Sequence, residues 1–81
     1  MNTNATLRDL VHAESFVPFV IELVKGRKYR ISHPDFISVP AERFDRMQPY
    51  VTVYSASGAL HSINPSMVAR VIPLIPRSRR R

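Results

Sequence analysis

The side chains able to do chemistry are three histidines, eight serines, six carboxylates and twelve cations, with no cysteine. His12, His33 and His61 never fall at the i, i+3 or i, i+4 spacing that brings two imidazoles onto one metal ion, and no thiolate is present to complete a site. His33 and Asp35 come nearest to a ligand pair, but His33-Pro34-Asp35 reads as a turn in which Asp35 bonds backbone amides. A serine nucleophile needs a base within about 3 Å and a third group to orient that base, and no motif singles out such a pair. Gly26 and Gly58 are the only glycines, so no glycine-rich loop cradles phosphate. Glu42 and Asp45 sit in a charge-mixed stretch and form no acid–base dyad. The sequence therefore predicts no catalytic residue, no metal, no cofactor and no small-molecule substrate, and a protein that is not an enzyme.

The cations are more informative. Net charge is +6, and Arg77, Arg79, Arg80 and Arg81 place four positive charges in the last five residues. Up to Pro76, eight cations face all six acids, so the body is only mildly basic. Within it, Lys25, Arg27, Lys28 and Arg30 cluster on and beside one hairpin. Tyr50 and Tyr54 share one face of a later strand and offer rings on which bases can stack. Together with the arginine arm, which neutralises phosphates without reading sequence, these ten residues are the candidate nucleic-acid contacts. The bland alternative is that Lys28 pairs with Glu22, the arginines keep an exposed strand soluble and the tyrosines pack half-buried.

The elements that position these groups follow from periodicity. Thr6 reads as a helix cap, with Leu7, Leu10 and Val11 forming one apolar stripe and Pro18 limiting the helix to about Glu14 or Ser15. From Phe19 the apolar period falls to two. A two-residue loop at Lys25-Gly26 would mix apolar and charged residues on both faces of the hairpin. A three-residue loop, Val24-Lys25-Gly26 with Gly26 left-handed, pairs Phe19 with Ile31, Val20 with Arg30, Ile21 with Tyr29 and Glu22 with Lys28. That register predicts a buried face of Phe19, Ile21, Leu23, Tyr29 and Ile31, with Lys28 and Arg30 outside. Phe36 to Val39 is a short strand, and 41–48 is a polar excursion around Phe44 and Met47. Tyr50 to Tyr54, Ala59 to Ile63 and Val68 to Ile72 are further strands, joined by a Ser55–Gly58 loop and a tight turn at Asn64-Pro65-Ser66-Met67.

Eighty-one residues make one small domain. The expected division is a disordered 1–5, a domain over 6–73 and a basic arm over 74–81, in which Leu74 and Ile75 are exposed unless a partner covers them. The first residues lack a secretory signal and no apolar run is long enough to cross a bilayer, so a soluble cytoplasmic protein without membrane contact is expected. The fold class is mainly β: an N-terminal helix plus five short strands curled into a strongly bent antiparallel small barrel of Sm/SH3-like type, with an open sheet as the alternative.

The segment Val17-Pro18-Phe19-Val20-Ile21-Glu22-Leu23-Val24-Lys25-Gly26 resembles the first strand and turn of the bacterial Sm-like (Hfq-type) RNA chaperones, and Val68-Ala69-Arg70-Val71-Ile72-Pro73 is similar to that family's last strand. The resemblance implies a small barrel that binds RNA and forms a ring or lesser homo-oligomer by pairing edge strands. The family's Lys-His pair before the last strand is replaced by Pro65 and Ser66, so its pore chemistry does not carry over, and 41–48 has no counterpart there. The chain also resembles, more tightly, a group of short bacterial proteins that share Leu-Arg-x-Leu, Phe-x-Pro-Phe and His-Pro-x-Phe motifs, here Leu7-Arg8-Asp9-Leu10, Phe16-Val17-Pro18-Phe19 and His33-Pro34-Asp35-Phe36. That likeness carries no activity. The expected function is non-enzymatic binding of RNA or another polyanion by a self-associating small barrel. The alternative is a protein-interaction or assembly module that docks by strand addition at Val68–Ile72.

Overall fold

The computed structural model describes residues 3–47, 49–55 and 57–74. Helix α1 spans Thr3–Val11, and among the described residues six strands follow: β1 Phe19–Leu23, β2 Lys28–Ile31, β3 Ile37–Ser38, β4 Val51–Tyr54, β5 Leu60–Ile63 and β6 Val68–Pro73. They form two antiparallel three-stranded sheets, ordered β2-β1-β6 and β3-β4-β5.

The first hairpin has the register that alternation demands: Phe19 opposite Ile31, Val20 opposite Arg30, Ile21 opposite Tyr29 and Glu22 opposite Lys28. Leu23 N donates to Arg27 O at 2.8 Å and Gly26 N to Leu23 O at 2.9 Å, closing the three-residue loop, and Gly26 sits at φ +95°. No Cβ clash blocks Gly26, so glycine is favoured there by backbone conformation alone. Phe19, Ile21 and Ile31 are fully buried; Leu23 and Tyr29 are half-buried against them.

The other sheet supplies the opposing layer. Ile37, Val51, Val53 and Ile63 point inward and meet Phe19, Ile21 and Ile31, and Leu7 of α1 completes the core. On β6, the register slips between Arg70 and Val68, leaving Ala69 as the extra residue of a bulge opposite Glu22 and Leu23.

Several expectations are corrected. The five-stranded closed barrel is instead six strands in two sheets with no closed barrel. The break falls at Pro34–Phe36, a 3-10 turn separating β2 from β3, where Pro34 has no N–H to give a ladder and the His33 ring accepts from Asp35 N at 3.1 Å. That bond also reverses the expected turn chemistry: the side chain that caps is His33, not Asp35. Helix α1 begins at Thr3, so Thr6 is an interior residue rather than a cap, residues 3–5 belong to the folded body, and the helix stops at Val11. Its Leu7, Leu10 and Val11 face the core as their spacing requires. Finally, Leu74 is half-buried and its N–H donates to Pro18 O at 2.7 Å, so the body extends one residue into the segment assigned to the arm.

Among the described residues no helix is long and apolar enough to cross a membrane.

Candidate nucleic-acid interface

Alternation along β2 sends Lys28 and Arg30 outward, and both are exposed. Their partner strands decide whether these charges are neutralised. Glu22, directly opposite Lys28, is taken by Arg70 from the other side: Arg70 Nε donates to Glu22 Oε1 at 2.6 Å. This hydrogen bond holds the Glu22 carboxyl below its usual range against a smaller opposing effect of burial, with the fields of Arg70 and Lys28 adding to it. Among the described residues neither Lys28 nor Arg30 forms an ion pair within 4 Å. The expected Lys28–Glu22 pair is therefore corrected: two cations, Lys28 and Arg70, flank one carboxylate, and Arg70 holds it.

Beyond the free edge of β2 lies a groove of about 230 Å³, where the two sheets part. Lys28, Arg30 and Ser32 line one side, Tyr54 and Ser55 at the end of β4 the other, and Phe36 closes the bend. Phe36 is 37% exposed, so its ring is open to contact. Tyr29, on the inner side of β2, stacks at 5.3 Å and 50° on His61 and thus joins the two sheets beneath this groove. Its hydroxyl accepts from Arg27 Nη1 at 3.3 Å, which ties Arg27 to Tyr29.

The candidate residues are thus divided. Lys28, Arg30 and Tyr54 share the groove. Lys25 and Arg27 stay at the exposed hairpin tip. Val51 and Val53 take the inward positions of β4 and Tyr54 an outward one, while Tyr50 stands exposed directly before the strand. Tyr50 opens into a separate cleft, of about 660 Å³, beside Phe44 and Met47. Arg77, Arg79, Arg80 and Arg81 lie outside the described residues, as does Ile75. Phe36, Ser32 and Ser55 were not singled out by sequence; the signal for Phe36 was its place directly after a proline bend.

A second set of contacts also escaped the sequence reading. Asn4 and Arg8, one helical turn apart on α1, hold the excursion between β3 and β4. Asn4 Nδ2 donates to Pro49 O at 2.7 Å. Arg8 donates to Pro40 O at 2.7 Å and makes a two-pronged pair with Asp45 at 3.1 and 2.8 Å. The carboxylate raises the Arg8 pKa further, chiefly through that hydrogen bond. Between these anchors, Glu42–Phe44 forms a 3-10 turn, and the Arg43 guanidinium lies 4.8 Å from the Phe44 ring centroid.

The histidines are dispersed: His12 is exposed just past α1, His33 caps a turn and His61 packs on Tyr29. Among the described residues no three His, Asp or Glu side chains converge.

No protein-family model matches this chain, and neither a curated protein nor a solved structure matches it.

Proposed function

We propose that this protein is a non-enzymatic RNA-binding small β domain that grips a single strand through the groove lined by β2 and the end of β4. The observation that carries this reading is the groove itself: two cations without an acidic partner among the described residues share it with two aromatic rings, exposed Phe36 and half-buried Tyr54. Cations placed this way track a phosphate backbone while rings stack on bases, and neither needs a duplex groove to enter. The fold supports this reading because the Pro34–Phe36 turn that parts the two sheets places Phe36 in the same groove as Lys28 and Arg30. The Val17-Pro18 entry, the Gly26 turn and the closing strand that resemble the Sm-like chaperones lie directly before β1, in the first hairpin's loop and in β6. The arginine arm would add affinity without specificity.

The test is binding of a mixed single-stranded RNA pool at two salt concentrations by three proteins: the full chain, a chain ending at Pro76, and a full chain carrying Lys28→Glu and Arg30→Glu. The expected result is affinity that falls steeply with salt, survives removal of 77–81 in weakened form, and drops at least tenfold in the charge-reversed protein. Absence of binding at low salt, or binding confined to the arm, overturns the proposal.

Self-association is a second reading, favoured by the strand edges. Among the described residues β5 pairs only with β4 and β6 only with β1, so each leaves one edge open to another chain. A solution mass above that of the 9.3 kDa monomer in light scattering supports it; a monomer mass at all concentrations removes it.

A further inference from the structure

We infer that the cleft on the outer face of the β3-β4-β5 sheet is a second RNA subsite, one that recognises the edge and face of a single unstacked base. This rests on the nucleic-acid reading above but on different residues. The floor is a row of three hydroxyls set by strand register: Ser38 on β3 lies opposite Thr52 on β4, and Thr52 lies opposite Ser62 on β5. All three alternate with buried neighbours and so point outward. With strands about 4.8 Å apart, the row is roughly 10 Å long. Each hydroxyl can donate or accept, and none is hydrogen-bonded to another side chain among the described residues.

The rest of the lining is Pro40, Phe44, Met47 and Tyr50, with Tyr50 52% exposed and Met47 68%. The Arg43 guanidinium stacked on Phe44 brings a positive charge to the rim, with Glu42 beside it in sequence and Arg46 exposed two residues beyond Phe44. The excursion bearing most of this lining is fixed at Pro40, Asp45 and Pro49 by Arg8 and Asn4, so the cleft is held in shape from behind.

A row of hydroxyls in a ring-bearing cleft selects its occupant. An aliphatic side chain seated there would cover three hydroxyls without satisfying them, which is costly. A flat ring with donors and acceptors along its edge satisfies the row and stacks on Tyr50 or Phe44, and a cationic rim suits the attached phosphate. Bases in a duplex present neither face nor pairing edge, so the ligand is single-stranded.

The experiment measures binding of the full chain to octamers of rA, rC, rG and rU, and to the four nucleoside monophosphates, across a salt series. Three variants accompany the wild type: Thr52→Val, Tyr50→Leu, and the Lys28→Glu/Arg30→Glu pair, each checked for an unchanged circular-dichroism spectrum. The wild type is expected to prefer one octamer by about tenfold, with the monophosphates far weaker. Thr52→Val should collapse that preference with the salt slope unchanged, and Tyr50→Leu should weaken every octamer by about fivefold or more. The hairpin pair should weaken all octamers alike and flatten the salt slope. If octamers bind and depend on Lys28 and Arg30 while Thr52→Val and Tyr50→Leu change nothing, this subsite is wrong and the groove stands. If no octamer binds, both fall. Monophosphates bound as tightly as octamers overturn the assignment to RNA. A loss of self-association in Tyr50→Leu at unchanged RNA affinity assigns the cleft to a protein partner and overturns it.

Discussion

The hairpin 19–31 and the excursion 40–49 are built by opposite means. The hairpin is local: its register comes from alternation and from one left-handed glycine, and its charges lie where the strand period puts them. Among its described residues the excursion has one 3-10 turn, Glu42–Phe44, and no strand or α-helix. It is held by Asn4 and Arg8, whose partners Pro49 and Asp45 are 45 and 37 residues away. One region carries its instructions in its own sequence; the other borrows its shape from a helix. The difference bears on function, because the hairpin supplies the cations of the groove and the excursion supplies the walls of the cleft.

The largest expected effect removes what both regions share. Phe19 is fully buried, and Phe19→Ala should cost about 3–5 kcal/mol, read from the urea midpoint. For a domain this small the loss leaves hairpin and excursion unprotected together. Asn4→Ala tests the excursion. Asn4 is 2% exposed, and losing its bond leaves the Pro49 carbonyl without that donor, at about 1–3 kcal/mol. Proteolysis and amide exchange should accelerate over 40–49 before they do in the hairpin; uniform acceleration would show that the excursion is not a separate unit.

Gly26→Val tests the hairpin in the same way. A β-branched residue at φ +95° is strained although the space around it is empty, and a loss of about 1 kcal/mol or more is expected. Unchanged melting would mean that the loop can re-form in another register. Gentler still is Arg8→Ala, which should loosen the cleft walls and leave the Gly26 loop as protected as before, seen by amide exchange at Met47 and Gly26.

The smallest effect is the acid response of the outer face. Glu22 has a folded-state pKa below its ordinary value of 4.5, so its contribution is complete above that value and is lost as pH falls through the lower, folded one. Wild type should therefore destabilise more steeply than Glu22→Gln as pH drops from about 5 to 3. Identical profiles would show that the Arg70 pair contributes nothing, and Lys28 would then no longer be kept free by it.

The comparison also explains what could be read from the residues alone. Alternation and the Gly26 loop give the hairpin register pair by pair, and the same period places Tyr54 on the outward face of β4. What alternation cannot give is which surface lies across from that face. Tyr54 lines one groove with Lys28 and Arg30 although β2 and β4 belong to different sheets, and Tyr50, four residues earlier, lines a cleft with the excursion instead. The i, i+4 spacing of Asn4 and Arg8 is visible in the chain, but nothing local names Pro49 and Asp45 as their partners. The barrel expectation failed at one turn: Pro34 signalled a bend, and the His33 cap made it a break between sheets.

The most direct test of the central claim is an NMR titration of the ¹⁵N-labelled full chain with a single-stranded RNA octamer. The account expects the largest amide shifts at Lys28, Arg30, Phe36 and Tyr54, the four residues that the groove brings together. Shifts confined to residues 77–81, or no shifts at low salt, would contradict it.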